Sequence, residues 1–308
     1  MTMLSNERSI VVGVDGSERA RMALKWAADE ACMRDAVLRV VCAGTPHSEP
    51  GEFTATFDVF HLTAAGKVAE EAAGLVATRQ PTVTVRVETP AGPPAEALLE
   101  AAGTAELLVV GARGAGGFLG LRLGSVSRHC LHRATCPLVV VHADPVDPTE
   151  LRSDRIVVGV DGSEGSDAAL HWALDEARRR GASVAAVFAW QYAPVGSYVP
   201  PPRLGYEEEA QRIVDTARAR AGQWAPDVAV EATHCVGPAV PVLVDEGRRA
   251  DLLVLGRHGR SHLQELLVGS TAYECADHAH CPVVVIPQAA AEGDRDRSAA
   301  GRDAVAAG

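Results

Sequence analysis

One nine-residue string occurs twice in this chain. Residues 10–18 read IVVGVDGSE, and residues 156–164 read IVVGVDGSE again. The match continues through Ala23-Leu24-x-Trp26-Ala27-x-Asp29-Glu30-Ala31, which returns as Ala169-Leu170-x-Trp172-Ala173-x-Asp175-Glu176-Ala177. Further on, Gly111-x-x-Gly114 and Gly124-Ser125 recur as Gly256-x-x-Gly259 and Gly269-Ser270, and Cys136-Pro137 as Cys281-Pro282. Self-similarity over this distance means two copies of one domain. The length of 308 residues suits two domains of ordinary size. We therefore expect one domain over 8–143, a linker over 144–154 rich in proline and carboxylates, and a second domain over 155–287. Residues 288–308 mix Ala, Gly, Arg and Asp without an apolar stripe, and are expected to be a disordered tail.

Within each copy, short apolar runs alternate with amphipathic segments. In the first, strands are expected at Ile10–Val14, Val37–Ala43, Val83–Val87, Leu107–Gly111 and Leu138–His142. Helices are expected at Glu18–Arg34, Phe60–Arg79, Pro94–Ala102 and Ser125–Arg133, the third opened by proline. The second copy follows with strands at Ile156–Val160, Val184–Ala189, Val228–Ala232, Leu252–Gly256 and Val283–Ile286. Strands separated by helices imply βαβ crossovers and a parallel sheet. The fold class is therefore α/β, with two tandem doubly wound domains of five strands each.

Charge narrows the possible partners. With 29 Lys and Arg against 40 Asp and Glu, the chain carries a net charge of −11, which opposes general binding to nucleic acid. No apolar run has the length of a membrane helix, and the polar start, Met1 to Arg8, lacks a signal-peptide core. The seven cysteines form no CxxC pair, which favours a reducing cytoplasm over a disulfide framework.

Parallel sheets of this kind bind ligands beyond the carboxyl ends of their strands, where strand order reverses. The first strand leads into Gly13-Val14-Asp15-Gly16-Ser17, and its repeat into Gly159-Val160-Asp161-Gly162-Ser163, so each copy has a carboxylate at the sheet's mouth. Either residue type could cap the helix that follows. Ser17 suffices for that role, leaving Asp15 for a ligand. The fourth strand runs into GARGAGGFLGLRLGS, residues 111–125, a long loop with six glycines that ends at a helix start. Bare backbone N–H groups and a helix N-terminus suit a phosphate, with Arg113 and Arg122 nearby. No GxxxxGK[ST] or GxGxxG is present. An Asp at that turn repels phosphate, so it should face a sugar hydroxyl or a metal held by phosphates. Together the pieces suggest a mononucleotide across the sheet edge.

The frame G-x2-G-x9-G-S, with an Asp after the first strand, resembles that of the universal stress proteins and is complete in both copies. The resemblance covers about 10–143 and 156–287. It implies strand order 3-2-1-4-5, ATP binding, with Mg²⁺ as a companion ion, and pairing between the halves and into homodimers through edge strands. It also implies roles for particular residues. Asp15 and Asp161 would meet ribose or a phosphate-bound metal, and Ala43 and Ala189 the adenine through their backbone. Gly111, Gly114, Gly124 and Ser125 would hold phosphates, as would Gly256, Gly259, Gly269 and Ser270. Val126 and Thr271, with Gly13, Gly159 and Arg113, complete the candidate set.

The copies differ where Gly116, Gly117 and Gly120 become Ser261, His262 and Glu265, so weaker or differently shaped binding is expected in the second. Two further clusters superficially resemble metal sites: His129, Cys130, His132 and Cys136, and Cys275, His278, His280 and Cys281. Their alternation does not aim four ligands at one point, and buried or helix-end positions are the better reading. Trp26 and Trp172 are expected in the core, while Gln191–Tyr206 reads either as a lid or as a plain loop. The function expected is a cytoplasmic, ATP-binding stress sensor or regulator without catalytic residues. Its rivals are a slow ATP hydrolase or phosphoryl-transfer enzyme, disfavoured by loops without lysine, and a scaffold that has lost nucleotide.

Overall fold

A computed structural model describes residues 7–44, 54–114, 122–142, 153–191, 205–259 and 268–287. The chain divides into two compact units, 1–143 and 144–308. The first contains β1 (Ser9–Gly13), α1 (Glu18–Arg34), β2 (Val37–Val41), α2 (Thr54–Arg79), β3 (Val85–Glu88), α3 (Pro94–Ala102), β4 (Leu107–Gly111), α4 (Ser125–Arg133) and β5 (Leu138–Val141). The second contains β6 (Arg155–Gly159), α5 (Glu164–Arg180), β7 (Ser183–Trp190), α6 (Tyr206–Trp224), β8 (Val230–Val236), α7 (Ala239–Gly247), β9 (Leu252–Gly256), α8 (Ser270–His278) and β10 (Val283–Ile286). The expected linker and tail fall largely or wholly outside the described residues.

In the first unit the strands lie in the order β3-β2-β1-β4-β5, and in the second β8-β7-β6-β9-β10. All pairings within each unit are parallel. Helix α1 packs on α2 and α3 on α4, giving a layer on each face. The central strands are buried on both sides, so Ile10, Val11, Val12, Leu107, Leu108 and Val109 show no surface. Alanine lines the helix faces that meet them. In α1, Ala20, Ala23, Ala27 and Ala31 are buried at helical spacing with Leu24. Glu30 sits on that buried face too, ion-paired with the buried Arg34, and Glu176 repeats the arrangement with Arg179 and Arg180. Trp172 is buried, whereas Trp26 is only half-buried.

Several strand ends differ from expectation because a turn takes up the backbone donor. Val83 donates its N–H to the Gln80 carbonyl and Val228 to the Ala225 carbonyl, so β3 and β8 begin two residues later than expected. The second strand stops at Val41 rather than Ala43. Its partner runs into Pro90, which has no N–H for the ladder. Helix α2 begins at Thr54, earlier than the expected Phe60.

Candidate functional site

Strand order reverses between β1 and β4, and between β6 and β9. The carboxyl ends of these neighbours bring the Asp turn and the glycine loop together. Asp15 is not spare. Its Oδ1 accepts the Ser17 N–H at 3.0 Å, while the Ser17 Oγ caps α1 by accepting the Ala20 N–H at 3.2 Å. Gly16 supplies the φ of +80° that folds the carboxylate back over this turn. Asp161 repeats the geometry, accepting from both the Ser163 N–H at 3.0 Å and the Ser163 hydroxyl at 2.6 Å, with Gly162 at φ +81°. One function of each aspartate is therefore to hold its own turn.

The other oxygen of each aspartate reaches across to the glycine loop. A Cβ on Gly114 would overlap Asp15 Oδ2, and one on Gly259 would overlap Asp161 Oδ2. These glycines are bare because a carboxylate lies against them. Asp and loop form one unit in each copy. Gly111 and Gly256 are bare for another reason: a Cβ would stand 2.9 Å from the Arg19 carbonyl group, or 2.5 Å from the Gly165 carbonyl oxygen, in the first turn of α1 or α5. Gly13 and Gly159 likewise answer to packing. Leu98 of α3 would lie 2.9 Å from a Cβ at Gly13, and Leu255 2.6 Å from one at Gly159. Gly159 nevertheless lines the cleft described below.

The loop returns to the sheet at Gly124, whose N–H donates to the Ala112 carbonyl at 2.7 Å; Gly269 donates to Arg257 at 2.8 Å. These glycines are the N-caps of α4 and α8, and no side chain caps either helix. Helices α1 and α5, by contrast, are capped by serines. The first-turn N–H groups of α4 and α8 thus face the mouth of the sheet with the positive end of the helix dipole behind them. A helix end of this kind favours negative charge, here beside a carboxylate, and Ser125, Val126, Ser270 and Thr271 lie in those first turns. Ser127, which sequence reasoning missed, ties α4 to β4 by donating its hydroxyl to the Gly111 carbonyl at 2.6 Å. Its counterpart is Ala272, and that pairing of unlike residues was the available signal.

In the second unit these groups border a cleft enclosing about 720 Å³, part of it open to solvent. Gly256, Gly259, Gly269, Ser270 and Thr271 line one part, with Asp161 alongside. Val187, Phe188, Ala189, Ala239 and Leu243 form an apolar part. Ala189 lies within β7 and takes part in this lining, whereas Ala43 lies two residues past the end of β2. Arg257 and His258 also line the cleft; they correspond to Ala112 and Arg113. In the first unit Cys42 sits at the position of Phe188. Burial, aided by the Asp15 charge, pushes its thiol up to about 11. The positions at which the copies were expected to differ, 116, 117 and 120 against 261, 262 and 265, lie outside the described residues. So do residues 192–204 of the Gln191–Tyr206 segment, whose ends are marked by a parallel pairing of the Trp190 and Tyr206 rings, centroids 6.2 Å apart.

The cysteines of the two His/Cys clusters are packing residues. Cys130, Cys136, Cys275 and Cys281 are buried, and burial pushes Cys130, Cys275 and Cys281 up to about 12. His129 instead contacts Glu96 at 3.0 Å, and His278 the Glu274 carbonyl at 2.9 Å. Among the described residues no three His, Cys, Asp or Glu side chains converge as a metal site would require. None of the described helices is long and apolar enough to cross a membrane.

The sequence profile of the Universal stress protein family matches residues 7–142 and again 152–287. Universal stress protein Rv2005c of Mycobacterium tuberculosis is 33% identical over 301 residues, covering 94% of this chain and 100% of that protein. Universal stress protein Rv2623 of the same organism is 30% identical over 295 residues, with coverage of 92% and 98%. Among solved structures, a universal stress protein from Archaeoglobus fulgidus superposes with a TM-score of 0.68 at 20% identity, covering 92% of this chain and 97% of the other. A functionally unknown protein from Pseudomonas aeruginosa, PA1789, gives 0.62 at 16% identity, covering 96% and 98%. At these identities the two structures speak to the fold.

Proposed function

The chain belongs to the universal stress protein family, and from that premise we propose that it binds ATP once in each half and acts as a nucleotide-dependent regulator rather than an enzyme. The observation that carries the proposal is the pairing, in both copies, of a carboxylate packed on a bare glycine with a helix N-terminus that no side chain caps. A nucleotide presents matching groups: phosphates for the N–H groups of α4 or α8, and ribose hydroxyls for Asp15 or Asp161. The base would enter the apolar part of the cleft beside Ala189 in the second half, and the equivalent region near Ala43 in the first. With no cluster of ligating side chains among the described residues, a divalent ion would draw most of its oxygens from the phosphates. The chain would add positioning and water exclusion, not bond-breaking groups.

Purified protein should therefore release bound ATP on heating, and folded protein stripped of nucleotide should bind ATP added back. Asp15→Ala with Gly124→Val should remove one site, and Asp161→Ala with Gly269→Val the other. Retained ATP, with no ADP forming over hours, is expected; ADP accumulation abolished by Asp15→Ala would favour hydrolysis. No nucleotide released and none bound on addition would refute the proposal. Homodimer formation belongs to the same proposal, and sedimentation equilibrium tests it.

A further inference from the structure

The two copies differ at the base end of the site. In a chain only 4% aromatic, the end of β7 and the start of α6 carry Phe188, Trp190 and Tyr206. The Trp190 and Tyr206 rings run parallel, 3° apart with centroids at 6.2 Å, and the Trp190 Nε1 donates to His234 Nδ1 at 3.4 Å. The contact with Tyr206 places Trp190 on the side of the sheet that α6 covers. Phe188 stands two residues earlier in the same strand, so its ring leaves the sheet on that side too. The Asp161 turn also borders α6, because a Cβ on Gly162 would be 3.6 Å from Ile213. Phe188 lines the cleft together with Asp161 and Ala189. At the matching positions the first copy has Cys42 and Gly44. Helix α2 lies directly on Gly44: a Cβ there would be 2.9 Å from the Leu62 Cδ2 and 3.3 Å from the Leu62 Cα. No ring fits at that point, so the aromatic wall belongs to the second copy.

We propose that the second copy holds the nucleotide base by stacking it on Phe188, with Trp190 extending the wall, and so prefers purine to pyrimidine nucleoside triphosphates more strongly than the first copy does. The inference rests on the nucleotide reading above. A ribose held by Asp161 directs its base into the apolar part of the cleft beside Ala189, where Phe188 is the aromatic side chain among the lining residues. Every base offers a flat face to a ring. The gain grows with the area of overlap, so a two-ring purine gains more than a one-ring pyrimidine. In the first copy the Cys42 thiol, which feels the charge of Asp15, occupies this place on the carboxylate's side of the site. A thiol offers a small apolar contact and no ring face. The first copy must therefore hold its base without stacking at this position.

The test uses the full chain, with Asp15→Ala and Gly124→Val isolating the second copy, Asp161→Ala and Gly269→Val the first, and ATP and CTP as probes in equilibrium dialysis. Phosphate and ribose contacts are common to both probes, so the ATP-to-CTP affinity ratio isolates the base. Ring stacking of this kind changes affinity about two- to tenfold, and the ratio should be about fivefold larger in the second copy than in the first. Phe188→Leu keeps an apolar side chain without the ring, and should lower the ratio to that of the first copy. Phe188→Tyr keeps the ring face and should keep the ratio. Urea unfolding checks that each variant is folded; should Phe188→Leu fail to fold, Trp190→Leu decides, and it should lower the ratio in the same direction. A Phe188 that only packs the core would weaken ATP and CTP equally in Phe188→Leu, and an unchanged ratio overturns the proposal. A ratio that falls as far in Phe188→Tyr as in Phe188→Leu also overturns it. Equal ratios in the two unsubstituted copies overturn it while leaving the nucleotide reading intact. Absence of binding of either nucleotide by either copy overturns both.

Discussion

Adding one methyl group at each of two glycines, Gly111 and Gly114, should have opposite consequences. A Cβ at Gly111 would stand 2.9 Å from the carbonyl carbon and oxygen of Arg19 and 3.2 Å from the Ala20 nitrogen. All three are backbone atoms of α1, held by the cap at Ser17, so strand and helix must move apart. Overpacking of this sort costs about 1–3 kcal/mol. A Cβ at Gly114 instead meets the tip of the Asp15 side chain, which can rotate away. The cost is the Asp15–Ser17 hydrogen bond, about 1 kcal/mol, partly recovered from water at this exposed turn. The rotated carboxylate, however, no longer stands where a ribose would meet it. Gly114→Ala should therefore unfold within about 1 kcal/mol of the parent yet lose ATP at the first site. Gly111→Ala should lose stability first. Urea unfolding with an unchanged m-value, paired with ATP dialysis in the Asp161→Ala background, separates the two. Gly66→Ala is the control, because nothing lies within 4 Å of its Cβ position, and in a helix interior it should be neutral or stabilising. Unimpaired ATP binding by Gly114→Ala would refute the view that Asp15 and the loop act as one unit.

Other outcomes follow from the same packing. Glu30→Ala removes the buried carboxylate paired with the buried Arg34, and should cost about 3 kcal/mol in urea unfolding. Asp35 ends α1 at φ +49°, where α5 uses Gly181, so Asp35→Gly should stabilise by about 0.5–1 kcal/mol, read as a rise in melting temperature. Burial pushes the Cys130, Cys275 and Cys281 thiols up to about 12, above the ordinary thiol value, so the unfolded chain loses these protons first. Stability should be intact below about pH 8.5 and decline as pH rises toward 12. Replacing the three thiols with alanine should reduce that slope in unfolding curves taken across the alkaline range.

Much of the fold could be read from local signals. Helix α1 was bounded correctly at Glu18–Arg34 because Ser17 caps it and its alanine stripe runs unbroken; β4, β9 and β10 were bounded correctly as uninterrupted buried runs. The errors sit where a backbone donor is used in a turn, as at Val83 and Val228, or where a neighbouring strand carries proline, as at Val41. No periodicity reports such events. The site was legible as two stretches, an Asp turn and a glycine loop, but not as a contact between them. That Gly114 is bare for the sake of Asp15, and Gly13 for the sake of Leu98, emerges only in three dimensions. The substitution of His258 for Arg113 was visible in the repeat.

The most direct measurement is the number of ATP molecules bound per chain at saturation. Equilibrium dialysis of nucleotide-stripped, full-length protein should give two, falling to one in Asp15→Ala with Gly124→Val and to none when Asp161→Ala with Gly269→Val is added. A chain that binds no ATP, or whose binding is unchanged by all four substitutions, would contradict the assignment of the two carboxylate–glycine units as nucleotide sites.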